Sequence, residues 1–398
     1  MLRGWTGLLL LQAAATAAPP VLVIAVDGFR YDFAERERAA HILALKKEGA
    51  SVEGLIPSFP STTFPNFHAM ATGLHPARHG LVAMMFYDRS LGRGFQYMRN
   101  AAEGEWYGGK PIWVLAEEQG VRAATFFWPG SDAEIGGKRP SFYRKYDGRV
   151  SHEERIAQVL DWFRMKDGER PGFVIVYFSD VDSAGHRYGP DAPETKAAIA
   201  KVDASVGVLI EKVRALRPDA NIVLLSDHGQ IAVEEHLDLT QKANFQGCRA
   251  ANEAPMTMLY CDDPERVRAE LLKNAPEVSV WRRAEAPEHL HYRDNPRIGD
   301  LVVTPKRPSI VFVTPPGDAD AKPVPALQGM HGYDPRQYRE MRGILTGVGP
   351  AFRRGAVIPP ARTVDVYVLL AWLLRLKPPG GLDADFGRIR GLLADDAR

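Results

Sequence analysis

The chain has 398 residues, 45% of them hydrophobic and 25% charged, with a formal net charge of +1. This is ordinary globular composition, which excludes disordered and fibrous classes, and the length suits one large α/β domain carrying an insertion. The near-neutral balance also excludes a surface that coats polymeric nucleic acid, a mode that needs many Lys and Arg set against phosphates, so any phosphate recognition is local.

In chain order, residues 1–18 read as an export signal: Arg3, an apolar run from Gly7 to Leu11, then small residues up to Ala18 before Pro19. That run is too short to span a bilayer, and no later segment has the length and polarity of a transmembrane helix, so a periplasmic or secreted product is expected. In that compartment Cys248 and Cys261 are free to form one disulfide, although spacing alone does not fix their geometry.

Val21 to Val26 is a continuous apolar, β-branched run closed by Asp27 and Gly28, the pattern of a buried parallel strand with a polar carboxyl end. Segments 121–127, 173–178 and 221–226 repeat the form. Between them, residues 194–216 place Ile199, Val202, Val206, Leu209, Val213 and Leu216 on one helical stripe. Alternating strands and helices predict an α/β fold, a mostly parallel central sheet with helices on both faces, whose functional groups gather beyond the carboxyl ends of the strands. From residue 236 to 325 the texture changes, with more Pro, Glu and Arg and short strand-like pieces at 256–260 and 309–313, which predicts a smaller inserted cap. A last strand and helix are expected at 343–348 and 364–374.

Five places hold candidate chemistry. Asp27-Gly28 is either a simple turn or a ligand at a strand end. Thr63, ahead of Phe64-Pro65, marks a helix start, where it is either a cap or a hydroxyl facing a bound phosphate. Asp182 and His186, four apart, share a face of a helical turn and suit either a metal ion or a solvated pair. Asp227 and His228 end a hydrophobic strand, a costly position unless they are paired or metal-bound. His331 sits in a glycine-rich stretch, Gly329-Met330-His331-Gly332. Nitrogen and oxygen ligands without thiolates suit Zn²⁺, with Mn²⁺ and Fe²⁺ compatible by ligand type. His75 and His79 read as loop scaffolding, His41, His152, His236, His289 and His291 as surface or capping residues, and Asp180 as a turn or cap residue.

Taken together, VDGFR at Asp27, TTFPN at Thr63, TGLHPARHG from Thr72 to Gly80, FWPGS from Phe127 to Ser131, DSAGH at Asp182, SDHG at Asp227 and MHGYD at His331 resemble the nucleotide pyrophosphatase/phosphodiesterases of the alkaline phosphatase superfamily. The likeness runs from about Val21 to the C-terminal helix. It implies an alkaline-phosphatase-like catalytic domain over residues 19–398, including the 236–325 insertion, and two Zn²⁺ per chain. One ion would be held by Asp182, His186 and His331, the other by Asp27, Asp227 and His228 with the Thr63 oxygen facing it. By the same resemblance Thr63 is the nucleophile, a phosphothreonine forms, and water activated by the other zinc hydrolyses it. Phe64 and Tyr177 match the positions that stack a base. The implied substrate is a small nucleotide diester or pyrophosphate, with a choline-type or lysophospholipid diester as the alternative and a weakly active zinc-binding pseudoenzyme as a second. One departure stands out: Met84 occupies the position where the family has an Asn that donates to the transferring phosphoryl group, and methionine has no donor.

Overall fold

The computed structural model describes residues 18–395, so the expected export signal lies outside the described residues apart from its last position. The core is an eight-stranded sheet. Its strands, in chain order, are β1 (Val21–Val26), β2 (Ala50–Val52), β3 (Ala123–Phe126), β4 (Phe142–Arg144), β5 (Phe173–Phe178) and β6 (Asn221–Leu225), joined later in the chain by two more, Leu345–Val348 and Ala356–Ile358. Every residue of β1, β5 and β6 is buried, which is why these strands read as unbroken apolar runs with no alternation. β1 lies at the centre, paired in parallel with β5 on one side and β6 on the other. β3 and then β4 extend the β5 side in parallel. Beyond β6, Leu345–Val348 runs antiparallel to both its neighbours, and Ala356–Ile358 closes that edge beside β2.

Two helix groups flank the sheet. One comprises α1 (Ala40–Glu48), α4 (His152–Arg164), α5 (Asp180–Tyr188) and α6 (Pro193–Leu216); the other comprises α2 (Thr63–Thr72), α3 (Ile112–Glu118) and the late helix Asp365–Leu373. The α6 stripe buries Ile199, Val202, Val206, Leu209 and Val213 as its spacing predicts, but Leu216, at the end of the last turn, is exposed. α6 also carries the buried Asp203, whose carboxylate accepts from the His41 and Ile42 N–H groups and so caps α1.

Within residues 236–325 lies a separate antiparallel sheet made of β7 (Cys248–Asn252), β8 (Thr257–Cys261), β9 (Val278–Arg282) and β10 (Leu301–Pro305), ordered β7-β8-β10-β9. α7 (Pro264–Asn274) packs on it, and Leu259, Val267, Leu271, Val280 and Val303 belong to an apolar cluster distinct from the main core. Cys248 and Cys261 stand directly opposite each other on β7 and β8, and they are bonded. None of the described helices is long and apolar enough to cross a membrane.

Candidate active site

The parallel strands deliver their polar ends to one rim of the sheet. Asp27 follows β1, Asp227 and His228 follow β6, and α5 starts two residues after β5 to bring up Asp182 and His186. His331 arrives from the far side of the insertion, immediately after Gly329–Met330, which pairs antiparallel with Ile231–Ala232. Thr63 is the first residue of α2, an 8%-exposed hydroxyl on the same rim.

Hydrogen bonds fix the tautomers of the three histidines. His186 Nδ1 donates to Gly329 O at 2.9 Å, His331 Nδ1 to Ser61 O at 2.9 Å and His228 Nδ1 to Gly229 O at 3.0 Å. A carbonyl can only accept, so in a neutral ring it is Nε2 that carries the lone pair. Burial, with His228 and His186 alongside, holds the His331 imidazole well below its usual pKa, in the neutral form. These lone pairs point at one another and at carboxylates. His331 Nε2 lies 3.1 Å from His186 Nε2 and 3.5 Å from Asp182 Oδ1, while His186 Nε2 lies 3.3 Å from that same oxygen. His228 Nε2 is 3.1 Å from Asp227 Oδ2, 3.4 Å from Asp27 Oδ1 and 3.2 Å from the Thr63 hydroxyl.

Such crowding of acceptors is repulsive unless a cation sits among them. Two further signs agree: Asp27 Oδ1 and Asp227 Oδ2 are buried without a hydrogen-bond partner. Burial, then the neighbouring Asp227 and Asp182 carboxylates, push the Asp27 carboxyl well above the usual carboxylate range. The ligand atoms form two groups that can hold a metal ion, Asp182 with His186 and His331, and Asp27 with Asp182 and His228, each within 4.8 Å. The residues therefore fit divalent cations bound by nitrogen and oxygen, with the histidine Nδ1 bonds as outer-shell supports.

Thr63 is held from behind by Asn66, fully buried on the next turn of α2. The Asn66 amide donates to Ser58 O, Pro60 O and Thr62 O at 3.0–3.1 Å, and its oxygen accepts from Ser58 N at 2.7 Å and Thr363 Oγ1 at 3.1 Å. His75 and His79 lie under this segment, bonded to Ser58 Oγ and Pro65 O, a scaffolding role. His152 is not on the surface as its sequence context suggested. It is 3% exposed, bonded to Ser205 and to Asp180, which also takes the Lys201 ammonium, so Asp180 anchors α5 to α4 and α6.

A cleft of about 1330 Å³ opens over the cluster. Phe64 lines it, half-buried, with Phe95 and Tyr97 at its edge. Tyr177 also borders the cleft but is only 6% exposed: its hydroxyl donates to Asp27 and its ring packs edge-on against Phe67 and Tyr146. The open aromatic on that side is Tyr146, 58% exposed. Met84 Sδ accepts from the Phe64 N–H at 3.3 Å, so the sulfur covers a helix-start donor. Behind it, the buried Glu253 accepts the N–H groups of Met84 and Met85, tying the insertion to the cleft wall. Sequence reading passed over Asn66, Tyr146, Gln230 and Glu253; Asn66 and Gln230 sit in or beside quoted motifs, whereas nothing local marks Tyr146 or Glu253.

Known proteins share this architecture. A family model described as type I phosphodiesterase / nucleotide pyrophosphatase matches residues 21–334. The human ectonucleotide pyrophosphatase/phosphodiesterase family member 1 is 32% identical over 92% of this chain and 41% of its own length, and a venom phosphodiesterase from Crotalus durissus collilineatus is 30% identical over 94% and 46%. The chain thus spans less than half the length of these curated relatives. Among solved structures, an inactive variant of murine ectonucleotide pyrophosphatase / phosphodiesterase 5 in complex with AMP superposes with a TM-score of 0.88 at 27% identity, over 94% of this chain and 100% of that one. With the motifs, the sheet order and these matches in agreement, the chain belongs to the type I phosphodiesterase / nucleotide pyrophosphatase family of the alkaline phosphatase superfamily.

Proposed function

We propose that the chain is an exported phosphodiesterase that hydrolyses nucleotide diesters or pyrophosphates, with Thr63 as nucleophile and two Zn²⁺. Asp182, His186 and His331 would hold one ion, and Asp27, Asp227 and His228 the other. The observation that carries this reading is the convergence of three histidine Nε2 atoms and three carboxylates beside a single hydroxyl. When bound, the ions supply the charge that lowers the hydroxyl pKa and offsets developing charge on the attacking and leaving oxygens.

The chain's own residues do the rest. Thr63 Oγ1 gives up its proton to solvent and bonds to phosphorus as the bond to the leaving oxygen breaks and that oxygen takes up a proton, giving a phosphothreonine that keeps the remaining ester; water then attacks phosphorus, losing a proton, and Thr63 Oγ1 leaves and is reprotonated, so two in-line displacements retain configuration. Asn66 keeps Thr63 on its helix start, where the dipole favours phosphate. On the substrate side, Phe64 and the open ring of Tyr146 offer aromatic faces to a base. The AMP bound by the murine relative supports a nucleotide, and the Cys248–Cys261 bond suits an oxidising compartment. Residues 19–398 would form one catalytic domain with residues 236–325 as its insertion.

One observation favours a second reading, a choline-type diester. Tyr97 and Tyr146, 40% and 58% exposed, both line the cleft. Open aromatic faces attract a quaternary ammonium. Turnover of a nitrophenyl nucleotide ester against nitrophenyl phosphocholine separates the two substrates. Thr63→Ala should reduce either by more than about 10³-fold. Zinc binding with turnover that survives this substitution would sink the nucleophile assignment, and zinc binding with no turnover in the parent protein would leave a metal-binding scaffold.

A further inference from the structure

We infer that Gln230 is a positioning residue for the metal centre, acting through Asp182; the inference rests on the metal reading above. Gln230 follows Asp227-His228-Gly229 directly and is completely buried. Its side-chain amide donates to Asp182 Oδ1 at 2.9 Å and to Asp182 O at 3.1 Å. Both partners are acceptors, so the amide orientation is determined: a flipped side chain would set its oxygen against two oxygens.

Asp182 Oδ1 is the atom that faces the bare Nε2 of both His186 and His331, and Asp182 belongs to both groups of potential ligands. A neutral donor on that oxygen orients the carboxylate without competing with a cation for charge. The surrounding backbone is shaped to admit the amide. A Cβ on Gly185 would lie 1.5 Å from Gln230 Oε1 and one on Gly28 2.5 Å from Nε2, so both neighbouring glycines leave space that any side chain would close. From the other side, Arg30 donates to Gln230 O at 3.2 Å and is itself paired with Asp32, which pins the backbone from which the amide extends. Gln230 thereby links the β6 end, which carries Asp227 and His228, to α5, which carries Asp182 and His186.

The test is Gln230→Met, which keeps the volume and removes the donor, with stepwise zinc affinities read by competition against a chromophoric chelator. Loss of an outer-shell support weakens metal binding about 10–100-fold, and that is the expected change in at least one of the two constants, with the melting temperature of the metal-free protein little altered. Gln230→Asn is the companion variant. It keeps an amide but withdraws it by one methylene, and the same loss is expected. Zinc constants within twofold of the parent in both folded variants would overturn the inference. Failure of the metal reading looks different, because then the parent protein itself binds no zinc.

Discussion

His186 and His331 meet nitrogen to nitrogen at 3.1 Å, each with its only ring proton already given to a backbone carbonyl. Two lone pairs at that distance repel, and the backbone bonds prevent either ring from turning away. A cation bound between the two nitrogens would relieve that contact.

Removing metal should for that reason destabilise the protein as well as inactivate it. A ligand at 100 times its Kd contributes about 2.7 kcal/mol to folding. Thermal unfolding before and after chelation, then after zinc is restored, should show the midpoint falling by about 3 °C and recovering. An unchanged midpoint would argue that the cluster binds no metal.

Met84→Asn should raise diesterase turnover. Met84 Sδ covers the Phe64 N–H and brings no donor of its own. One oxyanion donor is worth roughly 10² to 10³ in turnover, so an increase of at least about 10-fold in kcat is expected. A flat or falling kcat would mean that the phosphoryl group does not reach this position.

Asn66→Ala should cost roughly 3 kcal/mol of stability, because it strands Ser58 N and three carbonyls in a buried segment. Urea unfolding measures this loss. Where the variant still folds, kcat should fall more than zinc affinity, since the released segment ends at Thr63 while His186 and His228 keep supports outside it. Equal losses in both would contradict a role specific to the nucleophile.

His68 makes stability depend on pH. It is buried on α2, with Nε2 bonded to Gly108 O and Nδ1 unpartnered, and burial lowers its pKa from 6.5 to about 4. Above pH 6.5 neither the folded nor the unfolded chain carries the proton and nothing is lost. As pH falls from 6.5 towards 4, the unfolded chain takes up a proton that the folded chain refuses, so stability declines by up to about 3 kcal/mol and then levels off. Urea unfolding across that window should show a shallower decline in His68→Gln than in the parent. Parallel profiles would exclude His68 as a source of acid sensitivity.

Local pattern was enough to reveal the centre of the sheet. Val21–Val26, Phe173–Phe178 and Asn221–Leu225 are buried on both faces, and burial on both faces leaves an unbroken apolar run in the sequence. The edge strands Phe142–Arg144 and Ala356–Ile358 carry no such mark, because three residues at a partly solvated edge need no distinctive composition, and Ala50–Val52, though buried between two partners, is too short to show one. Asp182 and His186 were legible as a pair since four residues make one helical turn. The Met84 N–H bond to Glu253, 169 positions away, was not.

By itself, then, the sequence determined which segments must be buried and which residue types stand at the strand ends, because these follow from periodicity and from chemistry repeated within a few residues. Only the tertiary structure decided that Tyr146 lies open where Tyr177 is covered, that the Gln230 amide meets Asp182, and that three histidine lone pairs face a common space. Those facts depend on the crossing of segments remote in the chain, and the direction of a single side chain at such a crossing is set by the packing around it.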